Sequence, residues 1–203
     1  LDEFDFQLNK MSVSGALFDM IKLLDIGKNV ISRMTADEVY ENALNWAKQY
    51  DKELVKILEN KDYALKVFGI ERGNKKPRKD LSKWSDVKEN IIYMYEEPVN
   101  YDFDKISGED AKKVIDEYSK VYDNNDDKQA WFDKIKDVAE KLGYAREVKE
   151  YKANPENWTG HVGDVSTVIR VVLTGRRNTP DMYEIMQVLG KEEVSKRFEN
   201  FIK

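Results

Sequence analysis

Cysteine is absent from these 203 residues, which excludes a disulfide framework and any thiolate metal site. Histidine occurs once, as His161, too few for a zinc or haem site and a poor start for a serine–histidine triad. Glycine (10) and proline (4) are sparse and charged residues reach 36%, so collagen-like or low-complexity stretches are excluded. No long uncharged apolar run is present, and mean hydropathy is −0.71, against a membrane-spanning helix. The amino terminus carries neither the basic nor the apolar stretch of a secretory signal. A soluble, cytoplasmic chain is expected, and its start at Leu1 reads as a piece of something longer.

What is there is charge and helical periodicity. Thirty-four Lys and Arg face 39 Asp and Glu, a net charge of −5, so the chain as a whole has no basic excess to hold nucleic acid. The halves up to and from Tyr101 are balanced, with 16 cations against 18 anions and 18 against 21. Any RNA contact must come from a local patch.

Apolar residues recur at helical spacing almost throughout. Thr35 and Glu38 form a capping-box pair ahead of Val39, Ala43, Leu44 and Ala47. Leu54, Ile57, Leu58, Ala64, Leu65 and Phe68 continue the pattern. Asp80 is placed to cap a helix carrying Trp84, Val87, Ile91 and Tyr95, and Ser107 to cap one carrying Ala111, Val114, Ile115, Tyr118 and Tyr122. Trp131, Ile135, Val138 and Leu142 form a further stripe, with Gly143 as its left-handed terminator. The fold class is all-α. Two polar joints, 69–79 and 96–107, interrupt the pattern, and Pro98 marks the main boundary between two consecutive helical units, 1–97 and 98–203. No internal repeat appears.

Familiar catalytic patterns are missing. The 69–76 segment lacks the order of a Walker loop. The Asp123–Asp127 run fails as a calcium loop, because Lys128 and Lys134 stand where Gly and Glu are needed, and reads as a solvated helix start. Asn157–Thr159 is a formal glycosylation sequon with no supporting context. No carboxylate pair sits in an apolar setting that would raise one pKa. Lys10–Ser14 (KMSVS) echoes a nucleotide-binding KMSKS loop, with Val13 in place of the second lysine; an inward Met11 and Val13 leading into a helix is the plainer reading.

The last forty residues are different. Val165, Val168, Ile169 and Val172 make a core stripe that Arg170 flanks. The loop Thr174–Asn178 follows, then Thr179 as a helix cap with Pro180 at the first helical position and Asp181 and Glu184 in the first turn. Met182, Ile185, Met186 and Leu189 continue to Gly190, and a last helix turns Val194, Phe198, Phe201 and Ile202 inward. Arg170, Arg176 and Arg177 thus gather beside a helix start, a setting suited to the acceptor edges of unstacked bases and to phosphates. The same pattern also fits a solvated arginine-rich loop.

The order L-T-G-R-x-N-T-P-D-x-Y-x-I-M-x-x-L-G-K-E over 173–192, preceded by Ile169-Arg170, resembles the carboxy-terminal signature of bacterial glutamyl-tRNA synthetases. Phe6, Ser14–Asp19 and Lys22–Leu24 resemble the segment that follows the catalytic domain in that family. The resemblance implies an all-helical anticodon-binding cage: a stem-contact remnant and first helical subdomain in 1–97, and a second in 98–203. It implies the anticodon loop of tRNA(Glu) as partner, with no DNA, no membrane and a monomeric state. No cofactor is expected here; ATP and magnesium belong to a catalytic domain that has no counterpart in this sequence, so the chain alone should be inactive. Carried over, Arg170, Thr179, Pro180 and Met182 would contact the first two anticodon bases. Either Arg72 or Arg78 would read the third, Arg78 being chosen as nearer the Asp80 helix start. Arg72, Lys75, Lys76, Lys79, Arg176 and Arg177 are candidate phosphate contacts. Trp158 is the one aromatic open to base stacking, with core packing as the alternative, and His161 reads as a turn residue. A helical protein–protein adaptor that never meets RNA is the competing function. It gains if Arg170, Arg78 and the Thr179 turn face apart.

Overall fold

A computed structural model describes residue 7 and residues 18–203. The described chain runs through helices α1 (Met20–Ile31), α2 (Ala36–Tyr50), α3 (Lys52–Ile57), α4 (Lys61–Gly69), α5 (Val87–Ile91), α6 (Gly108–Val121), α7 (Lys128–Lys141), α8 (Val148–Ala153), α9 (Val162–Thr174) and α10 (Met182–Ile202). Single 3-10 turns lie at Trp84–Asp86, Ile92–Met94 and Pro155–Asn157. The one extended pairing among the described residues is a parallel bridge between Ala145 and His161, so the fold is all-α. The Lys10–Ser14 echo, the inward Met11 and Val13, and the Phe6 and Ser14–Leu17 parts of the resemblance lie outside the described residues.

Local chemistry explains most helix starts. Thr35 Oγ1 accepts from Glu38 N while the Glu38 carboxylate accepts from Thr35 N, a complete capping box. Ser107 caps α6 and Asp127 caps α7, the latter from the 123–127 run that reads as a solvated helix start. Gly143 follows α7 at φ +81°. His161 caps α9, its Nδ1 accepting from Gly163 N at 3.0 Å. Two expected caps are corrected. Asp80 spends its carboxylate on Arg78, so no helix starts there; helical structure begins at Trp84 and breaks into two 3-10 turns around the short α5. Thr179 is likewise not a cap. Its hydroxyl is engaged by Arg170, and Asp181 caps α10 by accepting from Glu184 N.

Apolar burial is organised around two clusters. The first gathers Val39, Ala43 and Ala47 of α2, Leu54 and Leu58, Ala64, Val67 and Phe68 of α4, Val87, Ile91 and Met94. The second gathers α6, α7, α9 and the ends of α10, with Ile115, Tyr118, Ile135, Val168, Ile169 and Phe198 at its centre. Ile185 of α10 is buried in the first cluster, while Met182 and Met186 of the same helix belong to the second. That helix stitches the two together. Both polar joints are non-helical loops, over 70–83 and 95–107.

Polar clasps reinforce the seam. Arg197 is 1% exposed. Its Nη1 donates to Tyr93 O (2.7 Å) in the first half and to Leu173 O at the end of α9, and its Nε donates to Glu193 Oε1 at 2.8 Å. Such a buried cation is tolerated because every donor direction used finds an oxygen. Glu71 makes a reciprocal clasp: its N–H donates to Glu184 Oε2 (2.8 Å) and its carboxylate accepts from Asp181 N (3.0 Å). Glu71 adopts φ +53° to do so, a backbone region costly for a non-glycine residue.

Candidate functional site

The Thr179–Pro180 turn is the centre of the site, and α9 positions it. Arg170 projects from the flank of α9, and its Nη1 donates to Thr179 Oγ1, to Pro180 O at 3.0 Å and, more weakly, to Thr179 O at 3.5 Å. Burial lowers the pKa of this guanidinium, with the carboxylate of Asp181 opposing and the charge of Arg78 adding to the shift. It stays protonated, since the starting value is so high. The role is therefore bracing: at least one edge of the Arg170 fork is spent inside the protein, holding the turn.

The turn is reached through a short, tightly built loop. Thr174 Oγ1 donates back to Arg170 O at 2.7 Å and accepts from Arg176 N at 3.2 Å. Gly175 ends α9 at φ +69°, and a Cβ there would stand 3.3 Å from Pro98 Cβ, so both the left-handed backbone and the close approach favour glycine. Thr174 and Gly175 therefore shape the turn.

Arg78 arrives from a hundred residues away. Asp80 accepts from its Nε (2.7 Å) and Nη2 (3.0 Å), and Nη2 also points at Asn178 Oδ1, 3.5 Å off. The bidentate Asp80 contact raises its pKa and fixes the plane of the fork. Arg78, Arg176, Asn178, Thr179 and Pro180 together line a cleft of about 240 Å³ whose floor includes Tyr93 and Leu81. Arg176 lies over the Tyr93 ring, 5.4 Å from its centroid, and donates to Glu89 O. Arg170, Arg78 and the turn are thus brought together, the arrangement that disfavours the adaptor reading.

Other expected site residues fall elsewhere. Met182 is 3% exposed and lies in the second core, so the structure shows no apolar wall from it at the surface. Arg72 donates to Phe68 O, Ile31 O and Met34 O at 2.8–2.9 Å, a clasp on three carbonyls; Arg78, not Arg72, meets the Thr179 loop. Arg177 turns away to Asp104 (3.1 Å) and Asp102 (3.6 Å). Lys75, Lys76 and Lys79 are exposed. Trp158 is half-buried, while Trp131 is buried in the second core and Trp46 and Trp84 pack on the first. Sequence reasoning missed Glu71, Asn178 and Tyr93; each gains its place from a partner far along the chain, which no local spacing encodes.

Among the described residues no helix is long and apolar enough to cross a membrane. Residues 156–202 match the family described as "Anticodon binding domain". Glutamate–tRNA ligase of Acetivibrio thermocellus is 46% identical over 206 residues, covering 100% of this chain and 38% of that protein. The ligase of Clostridium perfringens is 44% identical over 212 residues (98% and 38%), and that of Sorangium cellulosum 42% over 205 (98% and 36%). The crystal structure of a glutamate tRNA ligase from Elizabethkingia meningosepticum, in complex with its amino acid, superposes with a TM-score of 0.63 over 98% of this chain and 35% of that one. At 20% identity that likeness speaks for the fold alone. The chain spans under two-fifths of the length of these relatives. Over essentially its whole length the chain is homologous to a stretch of these glutamate–tRNA ligases, and within it residues 156–202 carry the match to the anticodon binding domain.

Proposed function

We propose that the chain is the anticodon-reading arm of a glutamate–tRNA ligase, with a first helical subdomain in 1–97 and a second in 98–203. Its partner is the anticodon loop of tRNA(Glu), bound by a cytoplasmic monomer that engages neither DNA nor membrane. The longer ligase would charge the tRNA with ATP and magnesium in its catalytic domain; the arm alone would charge nothing.

The observation that carries this reading is the convergence of Arg78 on the Asn178–Pro180 turn in one cleft. A base entering there meets a planar cation held in plane by Asp80, an amide side chain and a turn whose backbone Arg170 holds rigid. Unstacked loop bases are recognised by such edge-on donors and acceptors. A good bidentate contact discriminates by ~1–3 kcal/mol, on the scale of DNA readout. In this reading Arg78 contacts the base, Thr179 and Pro180 present the turn, and Arg170 positions it; Met182 supports the turn from the core.

Fluorescence anisotropy with an anticodon stem-loop carrying the glutamate anticodon, and a second differing at its middle base, tests the proposal. The expected result is tighter binding of the first loop, with the difference lost in Arg170→Ala. A folded chain that binds neither loop would overturn it in favour of the adaptor.

A further inference from the structure

Beside the cleft lies a second hollow, and the two share Ser32, Arg72 and Pro77 as a common wall. The first cleft mixes charges, with Glu71 and Asp80 among its cations. The second, of about 590 Å³, sits between the α1–α2 corner and the 73–79 loop and is lined by Arg33, Arg72, Lys75, Lys76 and Lys79 with no carboxylate. That is an unusual place in a chain with 39 carboxylates and a net charge of −5.

Four of the five cations of this hollow, Arg33, Lys75, Lys76 and Lys79, are exposed and without a carboxylate partner within 4.0 Å among the described residues. Elsewhere cations are laced to carboxylates: Lys120 to Asp116 and Glu117, Arg146 to Asp137 and Glu140. Arg72 differs from its neighbours. Its three bonds to Phe68, Ile31 and Met34 carbonyls tie the ends of α1 and α4 to the corner, so it shapes the wall. Four unpaired cations around one concavity repel each other, and a polyanion threaded among them relieves that repulsion.

We infer that this carboxylate-free hollow is a track for the phosphodiester backbone of the strand whose base enters the neighbouring cleft. Arg33, Lys75, Lys76 and Lys79 are its phosphate contacts and Arg72 is a positioning residue. The inference rests on the anticodon reading above. It adds Arg33 to the interface, withdraws Arg72 from direct phosphate contact, and sets the path: the strand crosses the Arg72–Pro77 saddle between a base-accepting and a phosphate-accepting hollow. Phosphate contacts of this kind fix register and carry no sequence information.

The test uses the 203-residue chain and its Arg33→Gln/Lys75→Gln/Lys76→Gln variant, with the two labelled stem-loops titrated across a salt series. Each phosphate contact to a single strand contributes roughly 0.7 to the log–log salt slope. The slope of the triple variant should therefore fall by about 2, with both loops weakened by the same factor and their ratio unchanged. Should the triple variant fail to fold, single Arg33→Gln should lower the slope by roughly 0.7. A variant that binds both loops as the parent does, with the same slope, overturns the track while leaving the anticodon reading intact. A changed ratio at constant slope also overturns it, because the residues would then act on the base. Parent binding that is salt-steep, indifferent to the middle base and lost in the variant supports the track and sinks base reading. A parent chain that binds no RNA overturns both, and a poly-glutamate peptide that displaces RNA at equal charge reassigns the hollow to an acidic protein.

Discussion

Tyr93 shows how much one residue carries here. It is buried in the first core, it floors the cleft under Arg176, and its carbonyl accepts from Arg197 of the carboxy-terminal helix. Burial pushes its phenol up to about 12, with the charge of Arg176 opposing, and burial likewise takes Tyr122 in the second core to about 12. A phenol whose folded pKa is raised contributes stability that is fully present below the unfolded value, near 10, and is lost as pH climbs through the folded one. Unfolding free energy from urea titrations should therefore be flat from neutral pH to just below 10 and fall between pH 10 and 12. Tyr93→Phe should make that fall shallower by up to roughly 2 kcal/mol. An alkaline limb of the same depth in the variant would show that Tyr93 does not titrate with unfolding. None of this was legible in the sequence, where Tyr93 lay between two stripe positions, Ile91 and Tyr95. Thr179 was misread for a related reason: its hydroxyl suits a cap, but Arg170 reaches it from the neighbouring helix and takes it.

At the scale of elements, two glycines separate close packing from backbone strain. Gly27 lies on α1, and a Cβ there would stand 2.2 Å from Ser82 O, a backbone atom that cannot swing aside. Gly190 interrupts α10 at φ +79°, ψ 163°, with nothing within 4 Å of an added Cβ. Gly27→Ala should destabilise by about 1–3 kcal/mol through overpacking, although helix propensity by itself favours alanine by about 1 kcal/mol. Gly190→Ala should cost about 1–3 kcal/mol through backbone strain alone. Thermal melts of the two variants check both, and a more stable Gly27→Ala would mean that α1 moves off the 82 segment freely. The helices themselves were readable, because Thr35, Ser107, Asp127 and Gly143 act within one turn of where they stand. The Gly190 break was readable too, as the end of the Met182–Leu189 stripe. The Gly27 contact was not, since its partner is 55 residues away and leaves no periodic trace. The Asp80 start failed for the same reason as Thr179, a competing tertiary partner.

For the whole molecule, the issue is whether two hydrophobic clusters behave as one body. A site assembled from Arg78 on one side and Asn178–Pro180 on the other holds its geometry only if they do. Among the ties that cross the seam are Ile185 inserted in the first core, the Glu71 clasp on α10, and Arg197 spanning Tyr93 and Leu173. Arg197 is the strongest of them, since removing it strands two carbonyls in a place its own side chain keeps dry. Thermal unfolding of the chain should then be a single transition whose calorimetric and van't Hoff enthalpies agree. Arg197→Met, close in apolar length but without the fork, should lower stability by about 3 kcal/mol and raise the calorimetric-to-van't Hoff ratio above one, as the cores melt separately. The same variant should lose discrimination between anticodon loops while keeping the salt-dependent part of binding. The cations of the phosphate track all belong to the first half, whereas the cleft is split across the seam. A variant that loses stability but keeps one cooperative transition and full discrimination would show that the seam is held by α10 packing, with Arg197 only one more buried contact.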